Sequence, residues 1–333
     1  MDIGIIGLGY WGPNLVRNFM MNEHVQRVVC CDSDEKQLLK AKRSFHSIET
    51  TKLYQDILND KKIDAIAIAT PVSTHYPIAK EALQKGKHVL VEKPMTASVP
   101  EAEELIGLAE KNRLTLMVDH TFLYTAAVKK IKELVDSDTV GDILYFDSIR
   151  INLGLFQRDA NVIWDLAPHD FSVMNYILNR KPVSLKAMGA DHVGNGMENI
   201  AYVHVNFGDN LIAHFHLNWL SPVKMRKVLI GGTKKMIVYD DMENSEKVKL
   251  YDKGIEIKTK EDEYQKLVNY RLGDAYSPAI NNIEALKGVI DDFIYSIRNK
   301  TKPLSDGYAG LQTVRLLEAS QESIKNDGKL VFL

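Results

Sequence analysis

Short apolar runs alternate with amphipathic stretches through the first 120 residues of the chain. The runs are apolar at nearly every position, which is typical of parallel strands that are buried on both faces of a sheet. Between them, stretches such as 34–45 place apolar residues at helical offsets. The predicted strands are 2–6, 25–32, 64–70, 88–92 and 114–120. Repeated β-α units of this kind predict an α/β Rossmann fold, a doubly wound parallel sheet.

The pattern changes after residue 121. The strands become longer and alternate between apolar and polar positions, as antiparallel strands with one covered face do. They are predicted at 143–153, 184–193, 200–210, 211–220, 226–232 and 235–241, with helices at 126–135, 163–178, 281–298 and 306–326. We therefore expect a nucleotide-binding type of α/β domain over 1–121. The remainder, 122–333, is expected to be an α+β domain with one large, mostly antiparallel sheet.

Composition narrows the classes of function. A chain of 333 residues with 45% hydrophobic and 26% charged residues has the makeup of an ordinary globular protein of two domains. Its net charge is −2, so we expect neither a nucleic acid nor an anionic membrane as a partner. The start of the chain lacks a signal-peptide pattern, and we see no apolar run of the roughly 18 residues that span a bilayer. Cys30 and Cys31 are adjacent and so badly placed for a disulfide, which favours the cytoplasm.

The sequence GLGYWG carries Gly7, Gly9 and Gly12 in the G-x-G-x-x-G spacing. On its own this pattern occurs by chance, but here it follows a predicted strand and opens a predicted helix. Backbone N–H groups at such a turn bind a pyrophosphate at the positive end of the helix. The next strand ends in Asp32, whose carboxylate suits the ribose hydroxyls of adenosine and repels a 2′-phosphate. The sequence thus predicts NAD as the cofactor, with NADP less favoured.

Further residues are expected to line the cofactor, because ligands of parallel sheets bind at the carboxyl ends of the strands. They are Tyr10, Trp11, Ser33, Thr70, Pro71, His75, Glu92 and Lys93. For His75 two interpretations stay open: a residue packed under the cofactor, or a histidine with a purely structural role.

The sequence HVLVEKPMT ends a predicted buried strand in Glu92, Lys93 and Pro94. Most lysines near strand ends are solvated, so a surface lysine is one interpretation. At the ligand edge of the sheet, however, the Lys93 ammonium can hydrogen-bond a substrate oxygen and stabilise the alkoxide that forms as an alcohol is oxidised. Pro94 restrains the backbone behind the lysine and is a candidate for a cis peptide bond.

A second candidate for catalysis lies in the sequence NVIWDLAPHDFSV. Asp165 and His169 are four residues apart, which places both side chains on one face of a helix. Pro168 disfavours a helix interior, so we expect the helix to begin just upstream, with both groups in its first turn. A neutral histidine there is a competent general base. The alternative is a capping aspartate and a buried histidine without chemistry.

Three histidines are expected to share one face of the second sheet. His214 and His216 are two apart on a strand, and a turn at 208–210 can bring His204 opposite His214. The interpretations are an oligomer interface, an exposed polar face and a metal site. We expect the interface, in a homodimer or homotetramer, and no metal.

Together these motifs resemble the glucose–fructose oxidoreductase and inositol dehydrogenase family, Gfo/Idh/MocA. The resemblance covers nearly the whole chain and is carried by GLGYWG, ATPVSTHYPIAKEALQKGKHVLVEKP, DLAPHD and KPLSDGYAGLQTVRLLEAS. It implies an NAD(P)-binding Rossmann domain over 1–121 and, over 122–333, a domain with an open-faced sheet that serves substrate binding and oligomer formation. The implied activity is NAD(P)-dependent oxidation or reduction of sugars and cyclitols. The family's catalytic lysine falls on Lys93, and its aspartate and histidine fall on Asp165 and His169. Leu123 stands where the family usually has an arginine, and 161–164 lacks the glycines that often precede the aspartate. The first departure implies different contacts near residues 119–125, and the second implies a substrate pocket of different shape.

Within the family, VIWDLAPHD resembles members that act on nucleotide-activated sugars, such as UDP-N-acetylglucosamine 3-dehydrogenases. This implies oxidation of a C3 hydroxyl to a 3-keto sugar in surface polysaccharide or lipid A-type biosynthesis. The residues expected near the diphosphate or the sugar are Arg150, Asn152, Arg158 and Trp164. Two alternatives stay open: a free sugar or myo-inositol dehydrogenase, and a non-catalytic NAD(P)-sensing regulator.

Overall fold

The computed structural model describes residues 1–154, 160–256, 269–281 and 283–333. The chain forms two compact units, Met1–Thr125 with Ile283–Glu318 and Ala126–Asn282 with Ala319–Leu333. The domain boundary predicted from the sequence, between residues 121 and 122, lies close to Thr125, where the chain first passes from one unit to the other. The sequence analysis placed all later residues in the C-terminal domain, whereas 283–318 belong to the first unit.

A helix over Ala285–Asn299 explains this difference. Its Phe293 packs edge-on against Phe19 of the first unit, with ring centroids 6.4 Å apart. Its Asp292 accepts a hydrogen bond of 2.7 Å from the Tyr124 hydroxyl. An amphipathic pattern predicts that a helix has a buried face, but not which unit covers that face.

The first unit is built on a parallel sheet in the order β3-β2-β1-β4-β5-β6. The strands are β1 (Asp2–Ile6), β2 (Arg27–Cys31), β3 (Glu49–Thr51), β4 (Ile63–Ile68), β5 (His88–Glu92) and β6 (Leu116–Asp119). Strand order reverses between β1 and β4. In such a sheet the ligand crevice lies at the carboxyl ends of the strands where the order reverses. The predicted doubly wound fold is confirmed.

Helices connect these strands. They are α1 (Gly12–Met21), α2 (Glu35–Ser44), α3 (Tyr54–Asn59), α4 (Val72–Gln84) and α5 (Val99–Asn112), with a 3-10 turn at Thr121–Tyr124. Two of them begin at side-chain caps: Asp34 accepts from the Lys36 N–H, and Ser98 accepts from the Glu101 N–H. Cys30 and Cys31 are free and buried in β2. A helix over Gly307–Lys325 starts in this unit and ends in the other.

The second unit carries the predicted large, mostly antiparallel sheet. Over the described residues its strand order is β14-β13-β12-β11-β7-β10-β9-β8-β15. The strands are β7 (Ile143–Leu153), β8 (Ser184–Ala190), β9 (Ile200–Asn206), β10 (Ile212–Asn218), β11 (Leu220–Gly232), β12 (Met236–Asp240), β13 (Val248–Glu256), β14 (Asn269–Tyr276) and β15 (Val331–Phe332). Among the described strands of this second sheet, only β7 and β10 pair in parallel. The helices are α6 (Ala126–Asp136) and α7 (Val162–Leu178).

Helix α7 covers one face of this sheet, where it contacts β7, β9 and β10. Phe171 of α7 meets Phe215 of β10 edge-on, with ring centroids 4.8 Å apart. The inward residues of β9 and β10 are fully buried, whereas Tyr202 and Ile212 on the other face are 42% and 57% exposed. One face of the sheet is therefore core and the other is open. None of the helices in the described ranges has the length and apolarity needed to cross a bilayer.

Candidate active site

The glycine loop has the geometry that its spacing predicts. Gly7 has a φ of +97°, a region that favours glycine. A Cβ atom on Gly12 would lie 2.1 Å from the Gly7 carbonyl oxygen, so only glycine fits where α1 begins. At Gly9 such an atom would meet no described atom within 4 Å. The loop is thus closed on its protein side and open at its second glycine, where the backbone can approach a phosphate.

Asp32 joins this loop to the end of β2. Its Oδ2 accepts the Leu8 N–H at 2.7 Å, and its Oδ1 accepts the Asp34 N–H at 2.8 Å. The neighbouring Ser33 is exposed. A carboxylate held at the end of the second strand, beside the glycine loop, is the arrangement that binds an adenosine ribose. The residues present therefore fit a dinucleotide.

The chain after β4 is tied to the chain after β5 by His75. Its ring is 1% exposed and lies between two carbonyl oxygens, 2.8 Å from Thr70 O and 2.9 Å from Pro94 O. Which of the two ring nitrogens donates depends on the tautomer of the ring. These contacts tie the two segments together at the carboxyl edge of the sheet, and contact of His75 with the cofactor stays a prediction. Pro71 is the N-cap residue of α4, and its carbonyl oxygen accepts a hydrogen bond from the Thr74 hydroxyl.

Strands β5 and β6 end in a group of polar side chains. The Lys93–Pro94 peptide is cis, and Glu92 lies directly opposite Asp119 in the strand register. Asp119 accepts the Trp11 indole N–H at 3.0 Å, which links β6 to the glycine loop. We call Trp11, Glu92, Lys93, Asp119 and His120 the strand-end cluster. Tyr10, next to Trp11, is 94% exposed.

Burial governs the charges in the strand-end cluster. It raises the pKa of Glu92 well above the usual range; Asp119 adds to the rise, and Lys93 opposes it. Burial, helped by the charge of Lys93, lowers the pKa of His120 to about 3. His120 is 1% exposed, and neither ring nitrogen has a hydrogen-bond partner among the described residues. The cluster thus holds a neutral imidazole and an acid that resists ionisation.

The sequence analysis did not select Asp119 and His120. They end a predicted strand at the carboxyl edge, as Glu92 and Lys93 do. Applying the same positional rule to 114–120 would have identified them.

In the second unit, α7 begins at Val162 and is capped by Asn161. The Asn161 side chain accepts the Ile163 and Trp164 N–H groups at 3.1 and 3.0 Å. Asp165 lies in the first turn, as expected, but His169 lies one turn further on and Pro168 is inside the helix. The expectation that Pro168 marks the first turn was therefore wrong. The spacing of four residues still places Asp165 and His169 on one face.

Arg150, which the sequence analysis expected near a substrate diphosphate, forms an ion pair inside the second unit. Its side chain is almost fully buried and donates to Asp170 of α7 through Nε at 2.7 Å and Nη2 at 2.9 Å. Arg150 therefore lies on the face of the sheet that α7 covers, and its contact with a substrate stays a prediction. Asn152 is two residues further along β7, on the same face and partly exposed. Arg158 lies outside the described residues.

The predicted histidine face is formed by β9 and β10. His204 and His214 are register partners, and their rings stack with centroids 4.6 Å apart. The Tyr202 ring stacks on His216 at the same distance. In the described ranges, no group of three or more His, Cys, Asp or Glu residues has the arrangement of a metal site.

Two family models match the chain. One describes an oxidoreductase family with an NAD-binding Rossmann fold and matches residues 1–120. The other describes the GFO/IDH/MocA C-terminal domain and matches residues 128–238. The first range contains all six strands of the parallel sheet, and the second contains β7 to β11 and part of β12.

Individual proteins are similar over different lengths. An uncharacterized oxidoreductase of Bacillus subtilis, YrbE, is 31% identical over 193 residues, a match that spans 56% of each chain. The chain therefore spans about half the length of this curated relative. UDP-N-acetylglucosamine 3-dehydrogenase of Acidithiobacillus ferrooxidans is 24% identical over 326 residues, 93% of each chain.

Solved structures share the fold. The structure of the A. ferrooxidans enzyme matches with a TM-score of 0.81 at 22% identity and covers 98% of both chains. GenD2 from gentamicin A biosynthesis, solved in complex with NAD, matches with a TM-score of 0.84 at 18% identity. That match covers 100% of this chain and 96% of GenD2.

Proposed function

Because the chain belongs to the Gfo/Idh/MocA oxidoreductase family, whose first domain is an NAD-binding Rossmann fold, we propose that it is an NAD-dependent dehydrogenase of a nucleotide-activated sugar. The substrate is a sugar such as UDP-N-acetylglucosamine, and the hydroxyl at C3 is oxidised to a ketone. The observation that carries the proposal is the strand-end cluster, in which Lys93 leaves the carboxyl edge of the sheet and Trp11 of the glycine loop is bonded to Asp119.

The cofactor choice follows from Asp32. Its carboxylate is held beside the glycine loop by the Leu8 and Asp34 N–H groups. A 2′-phosphate would meet this charge, whereas two ribose hydroxyls can donate to it. NAD is therefore favoured over NADP.

In the proposed reaction, two protein groups act on one substrate hydroxyl. NAD, when bound, supplies the acceptor for the hydride that leaves the carbon. His169 takes the hydroxyl proton as general base, so that the C–H bond yields a hydride and the O–H bond yields a proton. Lys93 hydrogen-bonds the same oxygen and stabilises the charge that develops on it. Asp165, on the His169 face of α7, orients the sugar or the imidazole.

The nucleotide sugar is supported by the relative from A. ferrooxidans, which matches over nearly its full length. Trp164 and Asn152 are partly exposed near the start of α7 and at the end of β7, where they can contact the sugar. A ketone at C3 is a group that a transaminase can aminate, and on this chemistry we propose a role in surface polysaccharide or lipid A-type biosynthesis.

The test is NADH formation with a panel of alcohols. We expect turnover with UDP-N-acetylglucosamine and little with N-acetylglucosamine, glucose or myo-inositol. A reductive assay with a 3-keto sugar nucleotide checks the reverse direction. Turnover of the free sugars with none of the UDP-sugars would reject the nucleotide part of the proposal.

One observation favours a free sugar or inositol as the second candidate. Arg150 of β7, which was expected to bind the diphosphate of a nucleotide sugar, forms an ion pair with Asp170. The same panel decides between the two candidates, because only the first requires the nucleotide.

We also propose that a second copy of the chain covers the histidine face. Tyr202 and Ile212 are exposed there, and burial lowers the pKa of His214 and of His216, which favours their neutral forms. Light scattering tests this proposal: a dimer or tetramer is expected, and a monomer at micromolar concentration contradicts it.

A further inference from the structure

Two acids meet at the ends of β5 and β6. Glu92 and Asp119 are register partners on adjacent parallel strands, so their side chains project on the same face. Asp119 is 1% exposed, and the Oε1 atom of Glu92 is shielded from solvent. Neighbouring carboxyl groups in such a place cannot both ionise without strong repulsion.

The hydrogen-bond donors around the two acids are unequally divided. Asp119 accepts the Trp11 indole N–H on Oδ2 at 3.0 Å and the Thr121 hydroxyl on Oδ1 at 2.6 Å. Glu92 accepts only a long contact of 3.3 Å from the Lys93 N–H on Oε2, and in the described part of the chain its Oε1 has no donor. Donors stabilise the charged form of a carboxyl group. The charge therefore belongs on Asp119 and the proton on Glu92.

We propose that Glu92 stays protonated at neutral pH and donates a hydrogen bond to Asp119, so that the two acids hold one proton and one negative charge. This carboxyl pair connects the backbone of Lys93 to Trp11 in the glycine loop. Its single charge is a counter-charge to the Lys93 side chain. His120, the residue after Asp119, adds no charge, because burial lowers its pKa to about 3.

The role of this pair is to position Lys93 and the glycine loop. It rests on the proposed function, in which Lys93 contacts a substrate oxygen. The raised pKa of Glu92 agrees with the arrangement, since burial and Asp119 both oppose ionisation. Loss of the shared proton would leave negative charges on both Glu92 and Asp119. Their repulsion would displace Lys93 and the glycine loop.

The location of the proton can be tested without a substrate. A neutral carboxylic acid has a C=O stretch in the infrared that carboxylates lack. We expect this band in the whole protein at pH 7, far above the usual Glu pKa of about 4.3. It should vanish in Glu92→Gln and persist in Glu104→Gln, an exposed acid whose pKa is lowered by Lys80.

A wild-type spectrum without the band at pH 7 overturns the proposal, as does a folded Glu92→Gln that retains it. If that variant fails to fold, the infrared spectrum of the wild type is recorded across pH instead. In this titration the C=O band should be present at pH 7 and disappear only under more alkaline conditions.

The positioning role has a separate test. Gln at position 92 keeps an N–H donor for Asp119, whereas Leu does not. We expect Glu92→Gln to keep kcat within about tenfold and Glu92→Leu to lose roughly a hundredfold, the scale of a small misplacement. Equal losses in the two variants contradict positioning through Asp119. Failure of the wild type on every alcohol contradicts the proposed function instead, and leaves the infrared result intact.

Discussion

Arg150 and Asp170 form a two-bonded ion pair inside the second unit, where they are 5% and 3% exposed. Such a pair is costly to break, because removing one partner leaves a buried charge without compensation. Arg150→Met should lower the free energy of unfolding by roughly 3–5 kcal/mol. Urea denaturation of the folded protein measures this loss.

A double variant separates the ion pair from a substrate role. Arg150→Met combined with Asp170→Leu removes both charges and should recover part of the lost stability. If Arg150→Met were as stable as the wild type and raised only the KM for a UDP-sugar, Arg150 would be a substrate residue after all.

The choice of cofactor depends on Asp32. Asp32→Ala removes an acceptor for the ribose and for the Leu8 N–H. We expect NAD to bind at least about tenfold more weakly, the effect of losing one charged hydrogen bond, and discrimination against NADP to fall. Calorimetric titration with both cofactors checks this. Asp34→Ala is the matched control, since Asp34 caps α2 and should affect stability but not cofactor preference.

Acid should destabilise the first unit through His120. Its folded pKa, about 3, lies below the ordinary value of 6.5. A group whose pKa is depressed in this way binds its proton more readily when unfolded, so its stabilising contribution is full above pH 6.5 and is lost as pH falls towards 3. The total is on the order of a few kcal/mol.

Chemical denaturation at several pH values measures this effect. A folded His120→Gln variant should show a shallower loss of stability over that window. His46→Gln, at an exposed position, should follow the wild type. Identical curves for His120→Gln and the wild type would show that another group causes the acid loss.

The histidine face should make association depend on pH. Burial lowers the pKa of His214 and of His216; for His214 the neighbouring His204 adds to the fall, whereas Asp147 opposes it. Neutral rings are therefore favoured, and acid charges them next to Lys186, the register partner of His204. We expect the oligomer to weaken as pH falls below about 6, near the ordinary histidine pKa. Light scattering across pH measures this effect. An oligomer that is unchanged at acid pH would show that the histidines do not lie in the interface.

Much of the first unit could be predicted because its signals are local. The glycine spacing, the apolar strands and the acid after β2 each follow from a few neighbouring residues. β3 was missed because Glu49–Thr51 is short and polar, so it has no apolar pattern to detect.

The interior of the second unit was harder to predict. Arg150 is a charged residue in a strand, and charged residues are normally exposed. Its burial depends on Asp170, which is distant in sequence and is brought to it by the packing of α7 on β7. The position of Asp119 at a strand end could be read from the sequence, but its contacts with Trp11 and Glu92 on other elements could not.

The central claim is that Lys93 and His169 act on the substrate rather than on the fold or the cofactor. It is tested most directly by NAD binding and turnover measured together in Lys93→Met and His169→Ala. Lys40→Met and His46→Ala are controls at exposed positions. We predict NAD affinity close to that of the wild type in all four, with kcat reduced by about 10²- to 10⁴-fold in the first two only. Near-normal turnover of the true substrate by both Lys93→Met and His169→Ala would contradict the account.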